Sequence, residues 1–290
     1  GNLSHAQLIS GEDGIGKSIL AEILGKLILN GDINREYVDI INYKPIKTSF
    51  GVDDVRDIID EVNKKPFEGD KKVIIIHQGN KLTIQAQNAL LKTIEEPPTE
   101  VYIIILCESL ELILDTIKSR CEIYKLTPLT KDELYKYIAI KGYECSEEEK
   151  LSAIAFSEGI PGRIDRNFSD TELQELRDKI VDLLLQLTNN EIEAILEKEE
   201  QLVSYKQNKE EVVNVLSSFI RDILVNKEVY NENLIINRDK IRSIERLTTE
   251  MSFKKLNKML LGLQEARKNI KNNVSWAMTV RIMLMDFMEG

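Results

Sequence analysis

The chain has 290 residues, 42% of them hydrophobic, with 39 Lys and Arg against 49 Asp and Glu for a formal net charge of −10. This length carries a prior of roughly two domains and suffices to bury more than one core. The acidic balance excludes a protein that holds nucleic acid by bulk charge, and no apolar run reaches the roughly 18–20 residues that span a bilayer.

No signal peptide is visible, and Cys107, Cys121 and Cys145 stand far apart without a CxxC spacing. That pattern points to reduced thiols in a cytoplasmic protein and against a disulfide framework or a structural zinc site.

The first half alternates between two periodicities. "HAQLIS" (5–10) reads as a short strand, followed by a glycine-rich turn and by "SILAEILGKLIL" (18–29) at helical spacing. "YVDIINY" (37–43) is a second strand, and "VDDVRDIIDEVNKK" (52–65) a helix with Val55, Ile58, Ile59 and Val62 on one face. "KVIIIH" (72–77) is a continuous apolar run, as expected of a parallel strand covered on both faces. "TIQAQNALLKTIEE" (83–96) is a helix that Pro97–Pro98 must stop. "VYIIILC" (101–107) is another buried strand, then come a short helix to Lys118 and a strand over 121–126. Strands alternating with helices mean a parallel α/β sheet.

After "TPLT" (127–130) the strand signals cease. "KDELYKYIAIKGY" and "EEEKLSAIAFSE" read as helices, with "GIPGR" (159–163) as a break between helices. Amphipathic segments then fill 171–188, 190–205, 209–226, 236–248, 253–270 and 273–288. The expected domains are an α/β domain over 1–127, a small helical one over 128–168 and an all-helical one over 169–290.

"GEDGIGKS" (11–18) matches GxxxxGK[ST], follows a strand and opens a helix, the context that makes the motif specific. Gly11, Gly14 and Gly16 let backbone N–H groups curl around phosphate oxygens, and the helix N-terminus adds partial positive charge. Lys17 would reach the β- and γ-phosphates and Ser18 would bind magnesium, so ATP or ADP is expected here. The competing reading is a strand-to-helix turn that holds nothing.

Magnesium also needs an acid at a later strand tip, where this chain carries His77 and Gln78. A neutral imidazole is a poor ligand for a metal that prefers oxygen. His77 is then a polar cap on a strand end, and hydrolysis by this chain is expected to be weak or absent. Glu95, Glu96 and Glu108 are the neighbouring acids that could substitute. Arg120, in "TIKSRCEIY" (116–124), is either a local salt-bridge partner or a guanidinium offered to a neighbour's phosphate.

"SHAQLISGEDGIGKS", "VNKKPFEGDKKVIII", "TIQAQNALLKTIEEPP" and "TIKSRCEIYKL" together resemble the delta-prime family of bacterial DNA polymerase III clamp-loader subunits, a branch of the AAA+ proteins. The likeness continues more weakly through "GIPGRI" and the closing "NIKNNVSWAMTVRIMLM". It implies an AAA+ P-loop domain, a helical lid and a helical collar that assembles a pentamer within the DNA polymerase III holoenzyme. The implied partners are the gamma/tau motor subunits, the delta subunit, the sliding clamp and, through the complex, primer-template DNA.

By the same resemblance Arg120 is an arginine finger acting in trans on a neighbour's ATP. Arg163, in "GIPGR", falls where AAA+ lids place a nucleotide-sensing arginine; the other reading is a surface charge near a helix start. Cys107 and Glu108 occupy the region where a Thr or Asn is more usual. The family's four-cysteine zinc module is missing from "NGDINREY" (30–37), so no zinc is expected, and magnesium is expected only together with nucleotide at the loop. Members also carry a short segment ahead of "LSHAQL", so the N-terminus, which opens on Gly1, is expected to be truncated. The alternative function is an active AAA+ motor that hydrolyses its own ATP.

Overall fold

The computed structural model describes residues 3–45, 49–189, 192–229 and 231–288. The expected helix over 190–205 therefore begins with two residues outside that set. The described residues pack as two compact units, Gly1–Leu129 with Ile160–Gly162, and Thr130–Gly159 with Arg163–Gly290.

The first unit is built on five strands, β1 (Ala6–Ser10), β2 (Ile40–Tyr43), β3 (Lys72–Ile76), β4 (Val101–Cys107) and β5 (Glu122–Lys125). They form one sheet in the order β2-β3-β4-β1-β5, with every neighbouring pair parallel. The continuous apolar runs of β3 and β4 are the reason: both of their faces are covered, so alternation has no role. Ile74, Ile76, Ile103 and Ile105 face a core shared with α2 (Val52–Val62) and α3 (Ile84–Glu95). Val73, Ile75, Ile104 and Leu106 face the other layer, with Ala21 and Ile28 of α1 (Lys17–Ile28). A short α4 (Asp115–Lys118) leads into β5.

The strand expected over 37–43 starts only at Ile40. Just before it, the buried Asp39 accepts hydrogen bonds from the backbone N–H of Phe67 (2.6 Å), Glu68 (2.8 Å) and Gly69 (3.2 Å), tying the α2–β3 loop down.

The second unit is helical: α5 (Lys131–Lys141), α6 (Glu147–Ser157), α7 (Pro161–Ser169), α8 (Thr171–Asn189), α9 (Ile192–Ser204), α10 (Lys209–Val229), α11 (Ile241–Glu250), α12 (Phe253–Lys271) and α13 (Trp276–Met288), α7 starting in the short stretch that packs with the sheet. Thr130 with Glu133 and Ser146 with Glu149 close reciprocal capping boxes on α5 and α6. The hydroxyls of Tyr137 and Tyr143 both donate to Asp165 at 2.7 Å, fastening α5 and its exit to α7. Burial and that carboxylate push the Tyr143 hydroxyl up to about 12. Leu216, Phe219, Trp276 and Phe287 belong to the main core, and the Trp276 indole N–H donates to the Leu202 carbonyl at 3.0 Å.

Two expectations are corrected here. "GIPGR" is not wholly a break: Glu158 (φ 50°) and Gly159 (φ 89°) end α6, and α7 begins at Pro161. Proline suits a first helical position because its missing N–H would have no helical partner. The helix expected over 236–248 begins at Ile241. Residues 236 and 237 are diverted onto Asp222, which is fully buried and accepts from the N–H of Ile236 at 3.0 Å and of Asn237 at 2.7 Å. A buried carboxylate with such donors outweighs a turn of helix.

Candidate functional site

The parallel sheet puts the ends of β1, β2, β3 and β4 along one carboxyl edge, the place where open α/β sheets bind ligands. From β1 the chain enters the glycine loop, where Gly14 (φ 82°) and Gly16 (φ 106°) take left-handed conformations. The Gly162 N–H donates to the Gly14 carbonyl at 2.9 Å. A Cβ on Gly162 would lie 2.8 Å from Gly14 Cα, so the approach requires glycine.

Lys17 Nζ donates to the carbonyls of Gly11 and Glu12, each at 2.7 Å. Burial lowers its pKa, while Asp13 and Glu108 act in the opposite sense. Ser18 Oγ lies 3.4 Å from His77 Nδ1, and His77 Nε2 lies 2.7 Å from Asn42 Oδ1. The amide oxygen of Asn42 can only accept, which puts the imidazole proton on Nε2 and leaves Nδ1 to accept from Ser18. Burial first, and Lys44 second, hold His77 below its usual pKa.

A cavity of about 350 Å³ opens at this edge, lined among others by Lys17, Ser18, Lys44, His77 and Glu108. Cys107 lines it as well, its thiol pushed up to about 11 by burial, and its carbonyl accepts the Gly11 N–H at 3.2 Å. Reasoning from sequence passed over Lys44. Its signal was its place, directly after the strand expected over 37–43. Among the described residues no group of three or more His, Cys, Asp or Glu could hold a metal ion.

Arg120 stands elsewhere. β5 pairs with β1 from Gln7–Glu122 to Ser10–Lys125, so Arg120, just ahead of β5, lies at the amino edge of the sheet. Its guanidinium donates to Glu95 at 3.2 Å and to the Thr116 carbonyl at 3.0 Å, and the side chain is 36% exposed. Glu95, one candidate for the missing acid, is thus engaged at the opposite edge from the glycine loop, while Glu108 is at the cavity. The length of the sheet separates Arg120 from this chain's own loop. Arg163 lies in the first turn of α7, belongs to the second unit, and pairs with Glu158.

Two family models match: "DNA polymerase III, delta subunit" over residues 1–130 and "DNA polymerase III, delta subunit, C terminal" over residues 175–288. The delta' subunit of Bacillus subtilis (strain 168) is 24% identical, with 99% of this chain and 92% of that protein covered. The gamma subunit of DNA polymerase III from Buchnera aphidicola (strain APS) is 32% identical over 54% of this chain, which spans only 48% of that protein. In structure, a DNA polymerase III gamma subunit-related protein of Thermotoga maritima aligns over 98% of this chain and 94% of its own, with a TM-score of 0.59 at 17% identity, a likeness of fold.

Proposed function

The chain belongs to the delta-prime family of DNA polymerase III clamp-loader subunits, and on that premise we propose that it works in the cytoplasm as a clamp-loader component that donates Arg120 to nucleotide on a neighbouring subunit. In this reading residues 1–127 are the AAA+ domain, 128–168 the lid and 169–290 the collar that joins a pentamer with gamma/tau and delta subunits. The assembly opens the sliding clamp and loads it on primed DNA.

The observation that carries the reading is the position of Arg120: half-exposed, in an ion pair with an exposed glutamate, and at the sheet edge remote from Lys17. A guanidinium there has no path to phosphate in its own cleft, whereas a surface pair is worth about 1 kcal/mol or less and is readily exchanged for a phosphate. Such a finger supplies about 10³–10⁵ in rate. The home cleft, with His77 where an acid would hold magnesium, binds nucleotide without efficient cleavage. The motor alternative has the intact loop at 11–18 in its favour and the same imidazole against it.

The test is Arg120→Ala in the complex reconstituted with motor and delta subunits. Clamp- and DNA-stimulated ATP turnover should lose the share contributed by the adjoining site, and Arg120→Lys should not restore it, since an ammonium lacks the planar fork. Turnover equal to wild type would reject the finger.

A further inference from the structure

We propose that the cleft at the glycine loop takes its nucleoside di- or triphosphate as the free anion, without magnesium, with the Lys44 ammonium standing beside Lys17 in place of the metal. The inference rests on the reading above that this cleft binds nucleotide.

A P-loop magnesium is held by the loop Ser or Thr hydroxyl and by a strand-tip carboxylate. Here the hydroxyl oxygen of Ser18 keeps its lone pairs, but no carboxylate stands at the tip of β3. The Ser18 hydroxyl is turned onto His77 Nδ1, and the ring is fixed from its far side by the 2.7 Å bond to Asn42. The three side chains, from α1, the residue after β3, and β2, form a chain with an imidazole where the fold family has a carboxylate, and beyond Asn42 it runs on to the Glu22 carboxylate, 3.5 Å from the amide nitrogen and outside the cavity lining. Magnesium demands oxygen ligands in near-ideal octahedral geometry, which an imidazole in that place does not supply. These residues do not fit the ion.

A polyphosphate without its metal needs other positive charge. Lys44, on the turn that leaves β2, lines the same cavity as Lys17, and its charge is felt at His77, the position where the metal-holding acid would stand. The N-terminus of α1, 12 residues long, contributes its own N–H groups to the same point. Asp13 and Glu108 also line the cavity and oppose an anion, but both are exposed and screened by salt.

Isothermal titration of ADP and ATP into the full chain, in EDTA and then in excess magnesium chloride, decides the matter. The expected affinities agree within about threefold between the two buffers, and Lys44→Ala weakens binding in EDTA by about tenfold or more while Lys44→Arg keeps it. Lys44 is exposed, so the substitution leaves the fold intact. His77→Asp should make binding tighten with magnesium. Binding about tenfold tighter in magnesium for the wild-type chain, or Lys44→Ala binding like wild type, overturns the proposal while the nucleotide reading stands. No binding in either buffer overturns both.

Discussion

In the sheet-bearing unit the polar side chains gather at the carboxyl edge of the strands and remain in reach of a ligand, as Lys17, Ser18, Lys44 and Glu108 do around their cavity. In the helical unit several charged side chains are withdrawn from solvent. Asp222 is fully buried, and Arg177, 2% exposed, donates to Asp239 at 2.7 Å and to Asn237 at 3.1 Å. Buried charge of that kind holds turns and helices in register. The sheet unit has its own instance in Lys72, which is buried and reaches Glu61 at 2.8 Å. The contrast teaches that desolvated charge here holds the architecture together, while the half-open charge of the sheet unit stands where a ligand is proposed.

That contrast can be broken by substitution. The largest effect is expected from Asp222→Ala, which strips the Ile236 and Asn237 N–H groups of their buried acceptor. It should cost about 3–5 kcal/mol, read as a fall in the urea midpoint of Trp276 fluorescence, the chain's single tryptophan. A change under about 1 kcal/mol would mean that the buried carboxylate is not structural. Gly162→Ala comes next. Its Cβ would meet Gly14 backbone at 2.8 Å, and the displacement should cost about 1–3 kcal/mol and speed amide exchange across residues 11–18. Unchanged exchange there would sever the link between the glycine loop and Gly162.

The smallest effect concerns pH. His77 is held below its usual pKa in the folded chain by burial and by Lys44. The unfolded chain therefore binds this proton first, and stability contributed above about pH 6.5 is lost as pH falls through the folded value. His77→Gln should flatten that part of the midpoint-against-pH curve relative to wild type. Superimposable curves would show that the ring titrates as in solvent.

Much of the fold was legible in local pattern. Runs such as Val73–Ile76 and Ile103–Leu106 announce parallel strands, and Pro97 ends a helix, because both effects act within a few residues. The glycine loop was legible for the same reason. Less so was α7, whose start at Pro161 hid inside a stretch that reads as punctuation. The imidazole bridge from Ser18 to Asn42 and the pairing of Arg120 with Glu95 join residues 24 to 59 positions apart, beyond any local signal.

By itself, then, the amino-acid order determined the alternation of strands and helices, the φ > 0 glycines of the loop and the absence of an acid after β3, all consequences of short-range sterics and side-chain chemistry. The tertiary structure alone decided that Lys44 shares a cavity with Lys17, that the Ser18 hydroxyl faces an imidazole, and that Arg120 sits at the far edge of the sheet. Those depend on the parallel register of β5 on β1 and β3 on β2, which long-range packing of buried faces sets.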